Sequence, residues 1–376
     1  MMKLRRGNPT PPLDVLIFDM DGVLIDVSKS YRRTIQKTVQ IYLATCLGLR
    51  GCNQKLALDQ SISFFKSAGG FNNDWDLTSG LLLYLLFVSG LPPSSKRKRF
   101  SSIPETFAFL RAKSSSFSGK ITVRLNIQHL SSFLEKVKTS GGGLKGIRQA
   151  LGGSWEGWVY RSGDLDRENL VKRIFQEVYL GQKFKAYYHL RPLFYREKGY
   201  YLRERMLIPK AILSVLRKEL CLGIASGRPR VEAELALKRF HLLPYFDSIV
   251  TLDECFEEEG RIFRLTGKRI KCTKPHPFSL LRAIREIGIS NVQCGYVGDV
   301  VDDILAARAA KRKLPILAIG FISGARHKTM EKTLHQAGAD RVVRHPKELL
   351  QLIKNPPSPA GGRGLGLAAL RAWRSG

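Results

Sequence analysis

From Lys210 onward, short apolar runs alternate with amphipathic stretches, and one further run of the same kind, Leu13–Asp19, stands far upstream. The alternation reads helix Lys210–Glu219, strand Cys221–Ala225, helix Arg230–Phe240, strand Ser248–Leu252, helix Pro277–Ile287, strand Cys294–Val297, helix Asp302–Lys311 and strand Pro315–Ile319. Such a rhythm constrains the fold strongly: parallel neighbours need crossover helices, and those helices cover both faces of the sheet. Leu13–Asp19 is β-branched and aromatic and stops at the polar turn Met20-Asp21-Gly22, so it reads as the first strand of that sheet. The expected class is α/β, a doubly wound parallel sheet split after its first strand by a mainly α-helical insertion. The expected boundaries are a leader over 1–12, a core of 13–27 plus 205–354, the helical insertion over 28–204, and a disordered tail over 355–376.

Within the insertion, helical patterns fall at Ser28–Leu47, Gln54–Ser67, Leu77–Val88, Leu130–Val137 and Asp164–Leu180, with a strand expected only at Ile121–Leu125. The longest apolar run, Leu81–Val88, is far shorter than the roughly 18–20 residues that span a bilayer. It reads as a buried helix.

Composition refines the class. The formal charge is +30, from 62 Lys and Arg against 32 Asp and Glu, which raises the question of a polyanionic partner. Between Ser94 and Ala150 there are 12 Lys and Arg but only two acids, Glu105 and Glu135, so one segment carries about a third of the excess and the rest is spread thinly. That segment suggests an exposed, Ser- and Lys-rich insert over about 92–130. No zinc-finger spacing or RNP-like aromatic pattern accompanies it, so the charge reads as a solvated surface and nucleic acid is not an expected partner. The cysteines 46, 52, 221, 255, 272 and 294 form no C-x-x-C pair, which points to a reducing compartment. The apolar stretch after the basic start is stopped by Asp19, too early for a secretion signal, so a cytoplasmic location is expected.

Four polar signals fall at the carboxyl ends of expected strands, where open α/β sheets bind ligands. Asp19-Met20-Asp21-Gly22 follows the first strand, and Ser226-Gly227-Arg228-Pro229 follows Leu222–Ala225 and opens a helix whose free amides suit an anion. Lys274 precedes Pro275-His276-Pro277. Gly298-Asp299-Val300-Val301-Asp302-Asp303 follows Cys294–Val297. Carboxylates gathered from two strand ends repel one another unless a cation sits among them, which predicts a metal.

With these four motifs in this order, the chain resembles the haloacid dehalogenase superfamily, in the subgroup with a helical cap inserted after the first strand of a Rossmann-like core. The resemblance implies a phosphoric monoester hydrolase. In it Asp19 is the nucleophile that forms an aspartyl-phosphate, and Asp21 is the general acid and base whose backbone carbonyl also binds Mg²⁺. Asp19 and Asp299 are the carboxylate ligands of Mg²⁺, and Asp303 and Asp302 lie behind the ligands. Ser226, Gly227 and Lys274 hold the phosphoryl oxygens, with Lys274 offsetting the charge on Asp19. An aspartate two residues after the nucleophile, here Asp21, favours phosphoryl transfer over carbon–halogen cleavage. Val300 departs from the Ser or Thr common in the family at that place. The stretch Lys66-Ser67-Ala68-Gly69-Gly70-Phe71-Asn72-Asn73-Asp74-Trp75 resembles a segment of one phosphatase-like branch.

Arg228, Asn72, Asn73 and Trp75 are candidate substrate contacts, weighed against helix-end, loop-capping and packing roles. His276, Trp155 and Trp158 read as structural. The expected activity is Mg²⁺-dependent hydrolysis of a small phosphorylated metabolite, with the cap closing over it to exclude water. A sugar-phosphate mutase would share every motif, and a polyanion-binding protein with a relic core is a further alternative.

Overall fold

In the computed structural model the described residues are 13–50, 55–71, 73–95, 98–290, 292–323 and 327–351. The expected leader, the tail, Lys96, Arg97 and Asn72 lie outside them. The chain opens with β1 (Val15–Phe18) and β2 (Ile25–Asp26), followed by α1 (Tyr31–Ile41), α2 (Lys55–Ala68), α3 (Asp74–Val88), α4 (Ile103–Lys113), α5 (Ile127–Thr139), α6 (Gly143–Ala150), α7 (Leu170–Leu180) and α8 (Phe184–Tyr188). It continues with β3 (Arg205–Met206), α9 (Lys210–Glu219), β4 (Cys221–Ala225), α10 (Arg230–Arg239), β5 (Ser248–Val250), α11 (Leu252–Thr266) and α12 (Phe278–Ile287). The last elements are β6 (Cys294–Gly298), α13 (Val301–Ala310), β7 (Ile316–Phe321), α14 (His327–Ala337) and β8 (Arg341–Val343).

The chain divides into two compact units, one of residues 13–26 with 205–351 and one of Val27–Glu204. The first is built on a six-stranded sheet of order β5-β4-β1-β6-β7-β8, and every pairing in it is parallel. β1 lies between β4 and β6, with Val15 opposite both Cys221 and Cys294. All four of its residues are buried, as a strand covered on both faces requires. Val15 and Ile17 pack with Leu280, Ala283 and Ile284 of α12 and Ile304 and Ala307 of α13. The register brings the ends of β1, β4 and β6 to one edge of the sheet. A two-stranded antiparallel pair, Ile25 with Met206 and Asp26 with Arg205, completes this unit.

The second unit has its own core of aromatic residues. Tyr31 stacks on Tyr179 at 4.6 Å between ring centres, and the Tyr42 hydroxyl donates to the Trp158 carbonyl while accepting from the Tyr160 amide. The fully buried Glu177 is paired with Arg173 at 2.6 Å and accepts the amides of Leu193, Phe194 and Tyr195, so its charge is compensated on every side. Leu81–Leu86 of α3 are buried, the burial their composition calls for. Among the described residues, no helix is long and apolar enough to cross a membrane.

Several expected elements differ. The helix expected over Ser28–Leu47 is α-helical only to Ile41 and continues as a π-helix at Tyr42–Cys46. Ile121–Leu125 is no strand: Thr122 forms a single bridge to Arg50, whose amide and carbonyl bond Ile121 and Val123. The helix expected from Asp164 starts at Leu170, because the Asn169 side chain caps it by accepting from the Lys172 amide. The strand expected to reach Leu252 ends at Val250, because Thr251 and Glu254 form a capping box that starts α11, a helix absent from the expectation. The basic segment 92–130 is no plain exposed insert. It contains α4, capped by Ser102 and burying Ile103, Thr106 and Leu110.

Candidate active site

Asp19 stands directly after β1, its amide bonded to the Val297 carbonyl at 2.9 Å and its side chain almost fully buried. Lys274 Nζ lies 2.8 Å from Asp19 Oδ1 and 2.7 Å from Asp303 Oδ1, and it donates to the Tyr296 hydroxyl oxygen at 2.9 Å. Burial pushes the Asp19 carboxyl up to about 7; Lys274 opposes that rise, while Asp303 and Asp21 add to it. Burial disfavours the Lys274 ammonium, yet Asp19 and Asp303 outweigh it and hold its pKa well above the ordinary lysine value. Lys274 therefore stays a cation in a place that would strip the proton from a lone lysine.

Asp303 is fully buried in the first turn of α13. Its Oδ1 accepts from Lys274 and from Tyr296 at 2.9 Å, and its Oδ2 accepts the amides of Asp299 and Val300 at 3.1 and 3.3 Å. The last two bonds hold the turn that carries Asp299, and the bond to the Val300 amide needs no hydroxyl at position 300. Gly298 is required beside it, since a Cβ there would stand 2.2 Å from Asp303 Cβ. Asp302, by contrast, is partly exposed, its carboxyl raised first by desolvation and then by Asp303.

Asp19, Asp299 and Asp303 each offer a carboxylate oxygen within 4.8 Å of the others, the spacing of a cation site. Both Asp303 oxygens are already engaged by Lys274, Tyr296 and two amides, whereas Asp19 and Asp299 are the two that could hold a cation. Gly22 shapes the same place. At φ +76°, a Cβ on it would lie 2.0 Å from Asp299 Oδ2, so the Asp299 carboxylate rests against a loop that only glycine can form.

Asp21 faces a different partner. Arg228 Nε lies 2.6 Å from Asp21 Oδ1 and Nη2 lies 2.5 Å from the same oxygen, with the arginine side chain almost entirely buried. Surface and helix-end roles for Arg228 are thereby replaced by an internal ion pair. Ser226 is buried at the end of β4, its Oγ accepting the Arg228 amide at 3.1 Å, while Gly227 is exposed with open space around it.

The structure thus gathers Asp19, Lys274, Asp299 and Asp303 in one cluster and links Asp21 to the Ser226-Gly227-Arg228 turn. In the second unit, Asn73 caps α3 by accepting the Asp76 amide at 2.7 Å, a loop-capping role. Trp75 packs edge-on against Phe175 under the Lys172 ammonium, its indole N–H buried and, among the described residues, without a hydrogen-bond partner. His276 accepts the Phe278 amide, and the Trp155 and Trp158 indoles donate to the Leu91 and Pro92 carbonyls. These three are structural, as their neighbours in sequence imply. Tyr296 is the residue that sequence reasoning missed. Its one signal is a hydroxyl-bearing ring in a strand too buried to leave it unpaired, three residues before Asp299.

A buried lysine among carboxylates at the carboxyl edge of a parallel sheet stands where a doubly wound enzyme binds its ligand. The chain belongs to the haloacid dehalogenase-like hydrolases, whose family profile matches residues 13–311. An imidazoleglycerol-phosphate dehydratase of Phytophthora nicotianae is 23% identical over 360 residues, 92% of this chain and 54% of that protein. A phosphoglycolate phosphatase of Xylella fastidiosa is 60% identical over 57 residues, 15% of this chain and 25% of that one. The chain thus spans about half of the first relative and a quarter of the second. Among solved structures, Northeast Structural Genomics Consortium target ZR25 superposes with a TM-score of 0.61 at 23% identity, covering 91% of this chain and 98% of that one, which establishes a shared fold.

Proposed function

We propose that the protein is a Mg²⁺-dependent phosphatase that hydrolyses a small phosphomonoester through an aspartyl-phosphate on Asp19. The observation that carries this reading is the placement of Lys274 between Asp19 and Asp303: a carboxylate can approach a phosphate dianion only where positive charge is fixed beside it. The matched phosphoglycolate phosphatase supports the substrate class.

The residues fit a magnesium ion. Carboxylates from two strand ends lie within 4.8 Å of one another, and the Asp19 carboxyl is driven up to about 7 first by burial and then by the negative charges of Asp303 and Asp21, a cost that a divalent cation would offset. Asp19, Asp299 and the Asp21 backbone carbonyl would hold it, oxygen donors of the type it prefers. When bound, the ion offsets charge on the phosphoryl oxygens and on Asp19.

The remaining work belongs to the chain. Asp19 Oδ2, the oxygen not engaged by Lys274, attacks phosphorus, and the substrate P–O bond breaks. Asp21 gives its proton to the departing alkoxide and afterwards takes one from the water that opens the acyl-phosphate. The Arg228 Nε and Nη2 contacts with Asp21 both fall on Oδ1, and Oδ2 serves that exchange. Ser226 and the amides of the turn after it bind the phosphoryl oxygens, with the Lys274 ammonium as counter-charge. The test is a panel of phosphomonoesters with and without EDTA, beside Asp19→Asn. Stoichiometric phosphate release that EDTA and the variant both abolish is expected. Wild-type turnover by the variant overturns the mechanism, and strict dependence on a bisphosphate activator overturns hydrolysis in favour of a mutase.

A further inference from the structure

α11 presents an unusual outer face. Phe256 is 51% exposed and Phe263 is 45% exposed, each turned roughly 80–100° around the helix from the buried Cys255. Gly260 stands between them in sequence and looks farther outward. A Cβ there would meet nothing nearer than Arg264 Nη1 at 3.5 Å, so the backbone itself is open at the middle of the face. A glycine inside a helix is costly relative to alanine, a cost that close approach of another backbone offsets.

At 3.6 residues per turn, Phe256 and Phe263 sit on one flank of Gly260, while Glu257 and Arg264 sit on the other. Each pair has one member before Gly260 and one after it. Glu257 and Arg264 are both exposed and, among the described residues, neither enters an ion pair; the neighbouring Glu258 and Arg261 are already joined at 2.8 Å. The face is therefore self-complementary about Gly260. When a second α11 is laid against it antiparallel, a two-fold axis level with Gly260 brings Phe256 onto Phe263 of the other copy on one flank. The same axis brings Glu257 onto Arg264 on the other flank. Each contact occurs twice, as an isologous interface demands.

We propose that α11 is a homodimerisation helix, its occupant a second copy of this chain seated antiparallel across Gly260. An anionic membrane is the weaker occupant, because Glu257 beside Phe256 would face the lipid charge. A single helix pair is a small interface beside the roughly 1,200 Å² of an ordinary stable one, so the dimer is a weak one, in the micromolar range.

The full chain tests this by sedimentation velocity from about 1 to about 100 μM, with single variants Glu257→Arg and Arg264→Glu. Both residues are exposed and outside the active site, and unchanged thermal midpoints and phosphate release confirm intact folds. The wild type is expected to move from monomer to dimer over this range. Each variant alone sets like charges against each other at both ends of the helix pair, which weakens the dimer by about tenfold or more. Mixed one to one, Glu257→Arg and Arg264→Glu chains set opposite charges against each other at both ends again and restore dimerisation as a heterodimer. A wild type that stays monomeric throughout, single variants that associate like the wild type, or a mixture that stays monomeric each overturn the proposal.

Discussion

Replacing Lys274 with Met removes the ammonium but keeps most of the apolar stem, so its effect isolates charge. The ammonium has bonds of 2.8 and 2.7 Å to Asp19 and Asp303, whose side chains are 9% and 0% exposed. With it gone, two carboxylates face each other in a site that water hardly reaches. Breaking a buried pair by removing one partner costs about 3–5 kcal/mol, and the lost bond to Tyr296 falls within that figure. The cost depends on pH with a definite sign. Asp19 has a folded pKa of about 7, raised by burial above its ordinary 3.8, so its contribution to stability is complete below 3.8 and is lost as pH rises through about 7. Lys274 lowers that folded value, so the variant raises it further and loses more stability on the alkaline side. Urea denaturation of metal-free protein at about pH 5.5 and about pH 8 should show the destabilisation of Lys274→Met smaller at the lower pH, where Asp19 holds its proton and the lost pairing is the one with Asp303, and near the full figure of about 3–5 kcal/mol at the higher. A difference below about 1 kcal/mol at pH 8, or one that grows as pH falls, would refute the assignment of Lys274 as the counter-charge of a buried carboxylate pair.

Further outcomes follow from the same geometry. Asp299→Asn should weaken Mg²⁺ binding by about 10–100-fold in calorimetry with little change in the thermal midpoint of the metal-free protein, since Asp299 is only partly buried. Because a proton on Asp19 competes with the cation, the Mg²⁺ affinity of the wild type should fall as pH drops below about 7 and level off above it; a flat profile contradicts the raised Asp19 carboxyl. Gly22→Ala puts a Cβ where the Asp299 carboxylate lies and strains a loop held at φ +76°, so phosphate release should fall by about 100-fold, and retention of full activity would disprove the close packing. Arg228→Met leaves Asp21 without its buried partner and should lower kcat by about tenfold or more with a smaller change in KM, the split expected of a residue that positions another.

The sheet and the cluster at its edge were legible because they follow from local chemistry. Val15–Phe18 and Cys294–Val297 are apolar runs with β-branched or aromatic residues and polar stops, and such runs have few places to go other than the centre of a parallel sheet. The carboxylates betrayed themselves by standing where the strands end. What stayed hidden depends on contacts between distant residues. Nothing near Arg228 in sequence announces Asp21, and only the folded register of β1 beside β4 brings them together. Tyr296 is equally mute until Lys274 and Asp303 arrive from other elements. α11 escaped because its run of glutamates and its central glycine look like a loop, while the Thr251–Glu254 box that starts it is a side-chain geometry. α4 escaped because the basic run before it masks Ile103, Thr106 and Leu110, whose burial needs partners from elsewhere.

The most direct test quenches the enzyme in acid during turnover of a phosphomonoester in Mg²⁺ and maps the peptide that carries Asp19 by mass spectrometry. A fraction of that peptide should gain the mass of one phosphoryl group, labile to hydroxylamine and absent in Asp19→Asn. Full turnover with the Asp19 peptide never modified, or with the phosphoryl group on another side chain, would contradict the account.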